Sequence, residues 1–279
     1  MDNNLNQTDK LFRIFQIAKF NQKSMVPTVA MTINIETEQI MKKRLEYKKD
    51  ITNPHITITN IIMKAVADTL IQYPPLYSYF DGKKIIENED VVLNIPVDTG
   101  KHVEYIVIRQ ANKKNLADIA KESIEERKKI ADGKGNFSQY IINLMKKIVG
   151  KKPSDQLNDK DIRKIEKRMQ YIRLLEKVNP NFSLKFVKEH YGNFPVSNFG
   201  SFHIPNGILA LSKPIVAGLC IGEMNTFLKM KEKEIVAVEY IPLTLSFDHR
   251  VFDGAYAGNF LNDLKDLLEN SSEMSTHCL

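Results

Sequence analysis

The stretch that most constrains this chain lies between Ile235 and Gly254. Ile235 to Phe247 is an apolar, β-prone run that reads as a strand. It is followed by Asp248, His249, Arg250, Val251, Phe252, Asp253 and Gly254. Beyond these, apolar residues at Phe260, Leu261, Leu264, Leu267 and Leu268 recur at helical spacing. A short link thus hands the strand over to a helix. It also puts the His249 imidazole at a strand terminus, where the backbone is rigid and the ring can face a cleft.

A neutral imidazole can accept a proton from a thiol or hydroxyl near neutral pH, so His249 is a candidate general base. Asp253 has two readings. Its carboxylate can cap the following helix by accepting from free backbone N–H groups. It can also pair with a cation and brace the loop that carries His249. Arg13 and Arg250 are both candidates for that cation. Gly254 would allow a tight passage from loop to helix. Upstream, Val196-Ser197-Asn198-Phe199-Gly200 contains residues that favour turns, and read alone it closes a strand.

The run from Leu243 to Gly254, with Ser246-Phe247-Asp248-His249-Arg250-Val251-Phe252-Asp253-Gly254 at its centre, resembles the signature of the acyltransferase component of 2-oxoacid dehydrogenase complexes. Val196 to Gly200 is similar to that family's Ile/Val-Ser-Asn-Leu-Gly segment. The family shares its fold with chloramphenicol acetyltransferase. The resemblance therefore implies a two-layer α/β domain, a mixed sheet covered by helices. It implies that His249 takes the proton of the attacking thiol or hydroxyl, that Ser197 donates to the tetrahedral oxyanion, that Asn198 shapes the turn, and that Asp253 holds the site together. A well-placed oxyanion donor lowers a barrier by about 3 kcal/mol. Coenzyme A, as acyl-CoA, is the implied substrate. By the same analogy the chain forms a homotrimer in which His249 of one copy faces Ser197 of the next.

Other landmarks follow in the family's order: the helix before Pro74-Pro75, Asp81-Gly82, Ile95-Pro96-Val97-Asp98-Thr99, Ile108-Arg109, and Lys113 to Ala120. Together the similarity covers roughly residues 11 to 133 and 193 to 270. The elements expected along the way are helices over Leu11–Phe20, Glu38–Lys49, Ile61–Tyr73 (capped by Thr57 or Thr59) and Asn115–Ala131. Strands are expected over Thr28–Thr37, Val91–Val97 and Val103–Arg109, with a hairpin in which Leu76–Phe80 and Lys84–Glu87 flank Asp81-Gly82. His102 and Glu104 open a strand that in relatives lies near the substrate channel, which makes His102 a candidate substrate-binding residue beside Asn198.

Two departures from the family pattern stand out. The catalytic pattern begins almost at once, with neither a lipoyl domain nor a small subunit-binding domain before it. No covalent lipoyl arm is expected, and the expectation is a stand-alone acyltransferase. The other departure is a helical insertion at about 136–191 in a single domain spanning 1–279. Between Lys146 and Lys177, eleven Lys/Arg face five Asp/Glu, an excess of six that equals the net charge of the whole chain. This segment can pack as an amphipathic hairpin with its charges in water, make peripheral contact with an anionic membrane, or line the acceptor pocket and attract coenzyme A phosphates. Nucleic-acid binding is the least favoured, since no RNP motif, zinc finger or helix-turn-helix accompanies the charge.

A hydrophobic content of 43% suits one large globular domain. No apolar run approaches the roughly 20 residues that span a bilayer, and the polar N-terminus is no secretory signal, so the expectation is cytoplasmic. Cys220 and Cys278 do not form a disulfide framework. His55 is expected in an exposed turn and His203 as a local packing residue, while His190 and His277 fall in the insertion and the tail. No spacing suggests a metal site, a P-loop or a dinucleotide fingerprint. Acyl transfer between coenzyme A and a thiol or hydroxyl acceptor is the favoured reading. The alternatives are a non-catalytic trimeric assembly protein of the same fold and a dehydrogenase-complex acyltransferase subunit that uses a lipoyl domain in trans.

Overall fold

The computed structural model describes residues 7–20, 26–178, 181–231 and 233–270, with no side-chain account of 16–20, 170–183 and 231. Cys278 and His277 lie outside the described residues. In chain order the elements are α1 (Gln7–Phe20), β1 (Thr28–Glu36), α2 (Glu38–Lys49), α3 (Ile58–Leu70), β2 (Tyr79–Phe80), β3 (Ile85–Ile86), β4 (Leu93–Asp98) and β5 (Val103–Ile108). Then come α4 (Leu116–Ala131), α5 (Asn136–Ile148), α6 (Asp159–Val178), α7 (Asn181–His190), β6 (Phe194–Asn198), β7 (Ala217–Ile221), β8 (Asn225–Lys231), β9 (Glu234–Asp248) and α8 (Gly254–Glu269). The chain divides into two compact units.

The larger unit comprises Val26–Ile95, Val107–Glu125 and Gly192–Leu279. Its mixed sheet runs in the order β1-β9-β7-β6-β4, with β8 hydrogen-bonded to β9. The register puts Leu243, Leu245 and Phe247 of β9 beside Ile33, Met31 and Val29 of β1. Successive residues of a strand face opposite sides, so Thr244, Ser246 and Asp248 occupy the other face. Leu243, Leu245 and Phe247 are fully buried, as are Phe260, Leu264 and Leu268 of α8. Each such side chain stabilises the fold by roughly 1.5–3 kcal/mol. Helices α2, α3 and α8 pack together, and α8 packs on β1 and β9. The expected two-layer arrangement of a mixed sheet covered by helices is present.

Caps and prolines set the boundaries. Thr57 starts α3: its hydroxyl accepts from Asn60 N while the Asn60 amide oxygen accepts from Thr57 N, a reciprocal capping box. That box brings the helix start forward to Ile58, three residues before the first strongly apolar stretch. The hairpin at Asp81-Gly82 forms, with Gly82 at φ +99° and the Asp81 carboxylate accepting from Lys83 N and Lys84 N. Its strands are only two residues each, shorter than expected. Pro74 and Pro75 lack the N–H a ladder needs, and Pro74–Tyr77 closes into a 3₁₀ turn instead.

The smaller unit comprises Met1–Met25, Pro96–Ile106 and Glu126–Tyr191. The segment at about 136–191 folds here as the helices α5, α6 and α7, together with α1. Its core is aromatic: Phe137 meets Phe12, Phe15, Tyr105, Phe186 and Tyr191 at ring-centroid distances of 4.6–6.4 Å. The expected stripe on α5 is the buried one, with Phe137, Ile141 and Met145 nearly inaccessible.

Candidate functional site

His249 sits where β9 stops. Asp248 N donates to the Val216 carbonyl at 2.8 Å and His249 N to the Pro27 carbonyl at 3.0 Å, so neighbouring strands grip the backbone on both sides. Val251 N returns to the Asp248 carbonyl at 3.0 Å and closes the turn. That turn folds the Arg250 side chain back onto the Asp248 carboxylate. Arg250 Nη2 donates to Asp248 Oδ2 at 2.6 Å and Nε to Oδ1 at 2.9 Å, while Arg250 N also reaches Oδ1 at 3.0 Å. The Asp248 carboxylate is 2% exposed, and the guanidinium lies over the Phe80 ring at 5.1 Å. The hydrogen bond to Asp248 holds the guanidinium protonated even above its ordinary range. The imidazole itself stands 5.8 Å from the Phe247 ring. Among the described residues it makes no hydrogen bond, which leaves its ring nitrogens available to a substrate.

Ser197 is 8% exposed on β6, and Asn198 ends that strand. The Asn198 amide donates to Thr59 Oγ1 at 2.9 Å and its oxygen accepts from Ser201 N at 3.1 Å. Asn198 thus ties the end of β6 to the first turn of α3 and shapes the turn that follows. That turn is crowded: a Cβ on Gly222 would lie 1.8 Å from the Pro205 carbonyl oxygen, so only glycine fits.

One chain does not bring Ser197 and His249 together. Ser197 pairs with Cys220 and Cys220 with Thr244, so the serine lies in the row of Thr244, two strands across from β9. His249 is five residues further along. Strand geometry separates the two by about 16 Å along β9 and about 10 Å across it. They also belong to opposite faces, since Ser197 shares the side of Thr244 while the histidine ring adjoins Phe247.

Asp253 is the N-cap of α8, its carboxylate accepting from Tyr256 N at 3.0 Å. It has no cationic partner among the described residues. Arg250, one of the two candidates, is taken by the Asp248 carboxylate across the turn. Gly254 does not adopt a left-handed conformation, and a Cβ there would meet only Met31 Sδ at 3.9 Å. Its small size is not required by its neighbours in the chain.

His102 belongs to the smaller unit. It stacks on Phe12 at 4.3 Å, with Nε2 3.4 Å from Glu104 Oε1 and Nδ1 3.8 Å from Asp9 Oδ1. Its side chain is 16% exposed, held among groups of its own unit. His203, expected to pack locally, is instead 87% exposed and pairs with Glu223 at 2.8 Å, because its left-handed φ of +59° turns it out of the loop. His55 is exposed, as expected, and His190 stacks on Tyr140 at 3.6 Å. Among the described residues no three His, Cys, Asp or Glu side chains gather as a metal site. No described helix is long and apolar enough to cross a membrane. Burial pushes the Cys220 thiol up to about 11, which makes it a poor nucleophile.

Sequence reasoning missed a cleft of about 330 Å³ at the turn from α2 to α3, lined by Arg44, Lys48, His55, Ile51 and Ile56 among others. Thr59, shortly after these residues, contacts the Ser197–Asn198 segment through the Asn198 amide. The Asp248–Arg250 pair was missed as well, although the Asp-x-Arg order at a strand end is its signal.

Comparison with known proteins agrees with this architecture. The lipoamide acyltransferase component of the branched-chain alpha-keto acid dehydrogenase complex of Bacillus subtilis is 26% identical over 223 residues, covering 80% of this chain and 41% of that protein. The dihydrolipoyllysine-residue acetyltransferase component of the acetoin cleaving system of the same organism is 23% identical, covering 92% of this chain and 54% of that protein. This chain thus spans about half the length of these relatives. Among solved structures, a probable dihydrolipoamide acetyltransferase from Listeria monocytogenes superposes with a TM-score of 0.68 at 22% identity, covering 97% of this chain and 95% of the other. The cubic core of the pyruvate dehydrogenase multienzyme complex gives 0.71 at 20% identity, covering 100% and 94%. Residues 16–140 and 155–276 match the 2-oxoacid dehydrogenases acyltransferase (catalytic domain), and the chain belongs to that family.

Proposed function

We propose that this chain is an acyltransferase that moves an acyl group between coenzyme A and a thiol or hydroxyl acceptor, at a site completed by a second copy of the chain. The observation that carries the reading is the state of His249: its backbone is gripped on both sides and its imidazole is free. A histidine held so firmly with no intramolecular partner is suited to an incoming S–H or O–H. Because Ser197 and His249 lie apart in one chain, this reading pairs the serine of one copy with the histidine of another, as a closed ring such as a trimer would allow. Exposed apolar side chains at Leu228 (73%), Met230 (74%), Ile208 (66%) and Phe202 (58%) supply surface for such contacts.

In this mechanism neutral His249 accepts the acceptor's proton as its sulfur or oxygen attacks the thioester carbonyl carbon. The tetrahedral oxyanion accepts a hydrogen bond from the Ser197 hydroxyl of the neighbouring copy. The C–S bond to coenzyme A then breaks, and the imidazolium returns its proton to the departing thiolate. Arg44, Lys48 and His55 around the α2–α3 cleft offer cationic company for the phosphates of coenzyme A, beside the segment that Asn198 contacts.

A second reading is favoured by the relatives, a lipoamide acyltransferase and a dihydrolipoyllysine-residue acetyltransferase among them: the thiol partner is a dihydrolipoyl group on another protein. Both readings share the chemistry at His249. The test combines acetyl-CoA with free dihydrolipoamide and follows thiol balance for the wild type and His249→Ala. Turnover that falls roughly 10³-fold or more in the variant, with coenzyme A still bound, supports the mechanism. Equal turnover in both sinks it, and absence of both turnover and binding favours a non-catalytic assembly protein.

A further inference from the structure

The outer side of α6 carries a single row of cations. Lys160, Arg163, Lys164, Lys167 and Arg168 follow the i, i+3, i+4, i+7, i+8 pattern that places side chains on one stripe of a helix, and all five are exposed. The opposite stripe, Ile162, Ile165 and Met169, is buried together with Asp161. At 1.5 Å per residue the row is about 12 Å long.

None of the five forms an ion pair among the described residues; Arg168 donates to the Ile148 carbonyl at the end of α5. Some helical lysines elsewhere do pair: Lys42 with Glu38, Lys129 with Glu126 and Lys265 with Glu269. Of the carboxylates on α6, Asp161 faces inward, where it accepts from Asn158 N and adjoins Lys151, while Asp159 and Glu166, each one turn from Arg163, form no ion pair with the row among the described residues. The row contains five like-charge contacts at i,i+3 or i,i+4, 160/163, 160/164, 163/167, 164/167 and 164/168, against the two carboxylates Asp159 and Glu166 within one turn of Arg163. Each like-charge contact opposes the helix by a few tenths of a kcal/mol. An oppositely charged partner at the same interval would turn every one of these into an attraction.

We propose that this row is a docking surface for an acidic protein, in which a helix presents Asp or Glu side chains at matching i, i+3/i+4 spacing. A membrane surface fits less well. An interfacial helix binds by sinking its apolar face into lipid, and the apolar face of α6 is already buried in its own unit. Nucleic acid fits less well too, since the row holds no aromatic or amide side chain with which to stack on or read a base. The charge excess of this segment is then an address for a partner, independent of the acyl-transfer reading.

The test measures binding of the whole chain, at physiological salt, to labelled helical peptides of about 18 residues, five turns. One peptide carries Glu on a single face and the other has the same composition scrambled. The row variant combines Lys160→Gln, Arg163→Gln, Lys164→Gln and Lys167→Gln. The control combines Lys83→Gln, Lys84→Gln, Lys101→Gln and Lys121→Gln, which removes equal charge elsewhere. The wild type and the control should hold the faced peptide about tenfold or more tightly than the row variant does, and more tightly than either holds the scrambled peptide. Equal weakening in the row variant and the control would reduce the effect to net charge and overturn the proposal. So would tighter binding by the wild type to phosphatidylserine-rich vesicles or to single-stranded RNA than to the faced peptide. Circular dichroism of the row variant, whose substitutions touch no buried atom, separates lost binding from lost folding.

Discussion

A buried carboxylate with three donors from one neighbour is a strong constraint on the residue between them. Asp248 and Arg250 flank His249, and their pairing fixes the turn without touching the imidazole. Arg250→Ala would leave the Asp248 carboxylate, 2% exposed, without its cation. Breaking a fully buried pair costs about 3–5 kcal/mol; with the arginine one-third exposed, a loss of about 2 kcal/mol is expected, read as a drop in urea midpoint. Turnover should fall roughly tenfold at nearly unchanged KM, because the histidine remains while its placement loosens. Arg250→Lys should restore part of the stability through charge and less of the turnover, since a lysine cannot reproduce the two-pronged contact. Unchanged turnover in Arg250→Ala would show that the strand hydrogen bonds alone hold His249. Arg250 had been legible as a cation but not as the partner of Asp248. Asp253 drew attention because it repeats in a signature, whereas its neighbours in space give it only a helix to cap.

The elements that carry the site were legible where their periods are strong. The apolar run of β9 and the period of α8 are both unbroken, and each falls within a residue of its expected place. Short elements were read less well because their form depends on tertiary neighbours: the two-residue strands beside Asp81-Gly82 persist only as a hairpin against the approach to β7, where Phe80 N donates to the Pro214 carbonyl. One element contact has a clear pH signature. The Tyr73 hydroxyl, just past α3, donates to Asp263 Oδ2 of α8 at 2.5 Å. Burial first, then this hydrogen bond to a carboxylate, pushes its pKa up to about 12. In the unfolded chain the phenol ionises near 10, so between about 10 and 12 the folded state holds a proton that the unfolded state has lost. Stability from this group is complete below pH 10 and declines as pH rises, by up to about 2 kcal/mol. Denaturant midpoints at pH 8 and pH 11 should therefore converge more in Tyr73→Phe than in the wild type. An identical alkaline slope in both would assign the loss to the other buried tyrosines.

At the scale of the whole molecule, the site could not be read from one chain because the decisive distance is set by register. Val196 to Gly200 and Leu243 to Gly254 look like two halves of one site in the sequence, yet their strands are separated by β7. The pairing Ser197–Cys220–Thr244 fixes the offset. No local pattern reports which residue of one strand opposes which of another, since that depends on contacts distant in sequence. If the two halves meet across copies, mutants that each lack one half should complement. In His249→Ala every chain keeps its serine, and in Ser197→Ala every chain keeps its histidine. For trimers assembled at random from an equal mixture, a competent site needs a Ser197→Ala chain facing a His249→Ala chain in the right order. That order arises at about one site in four of a cyclic trimer, so co-refolded mixtures should regain up to roughly a quarter of wild-type turnover while neither variant alone does. Leu228→Glu and Met230→Glu, introduced together on the exposed hairpin of β8, should lower the mass seen by light scattering and remove turnover with it. Complementation that persists in a protein shown to be monomeric would be incompatible with a site shared between copies. An absence of complementation in intact trimers would return the oxyanion donor to the chain that carries His249, and Ser197 would then be a residue of the strand end alone.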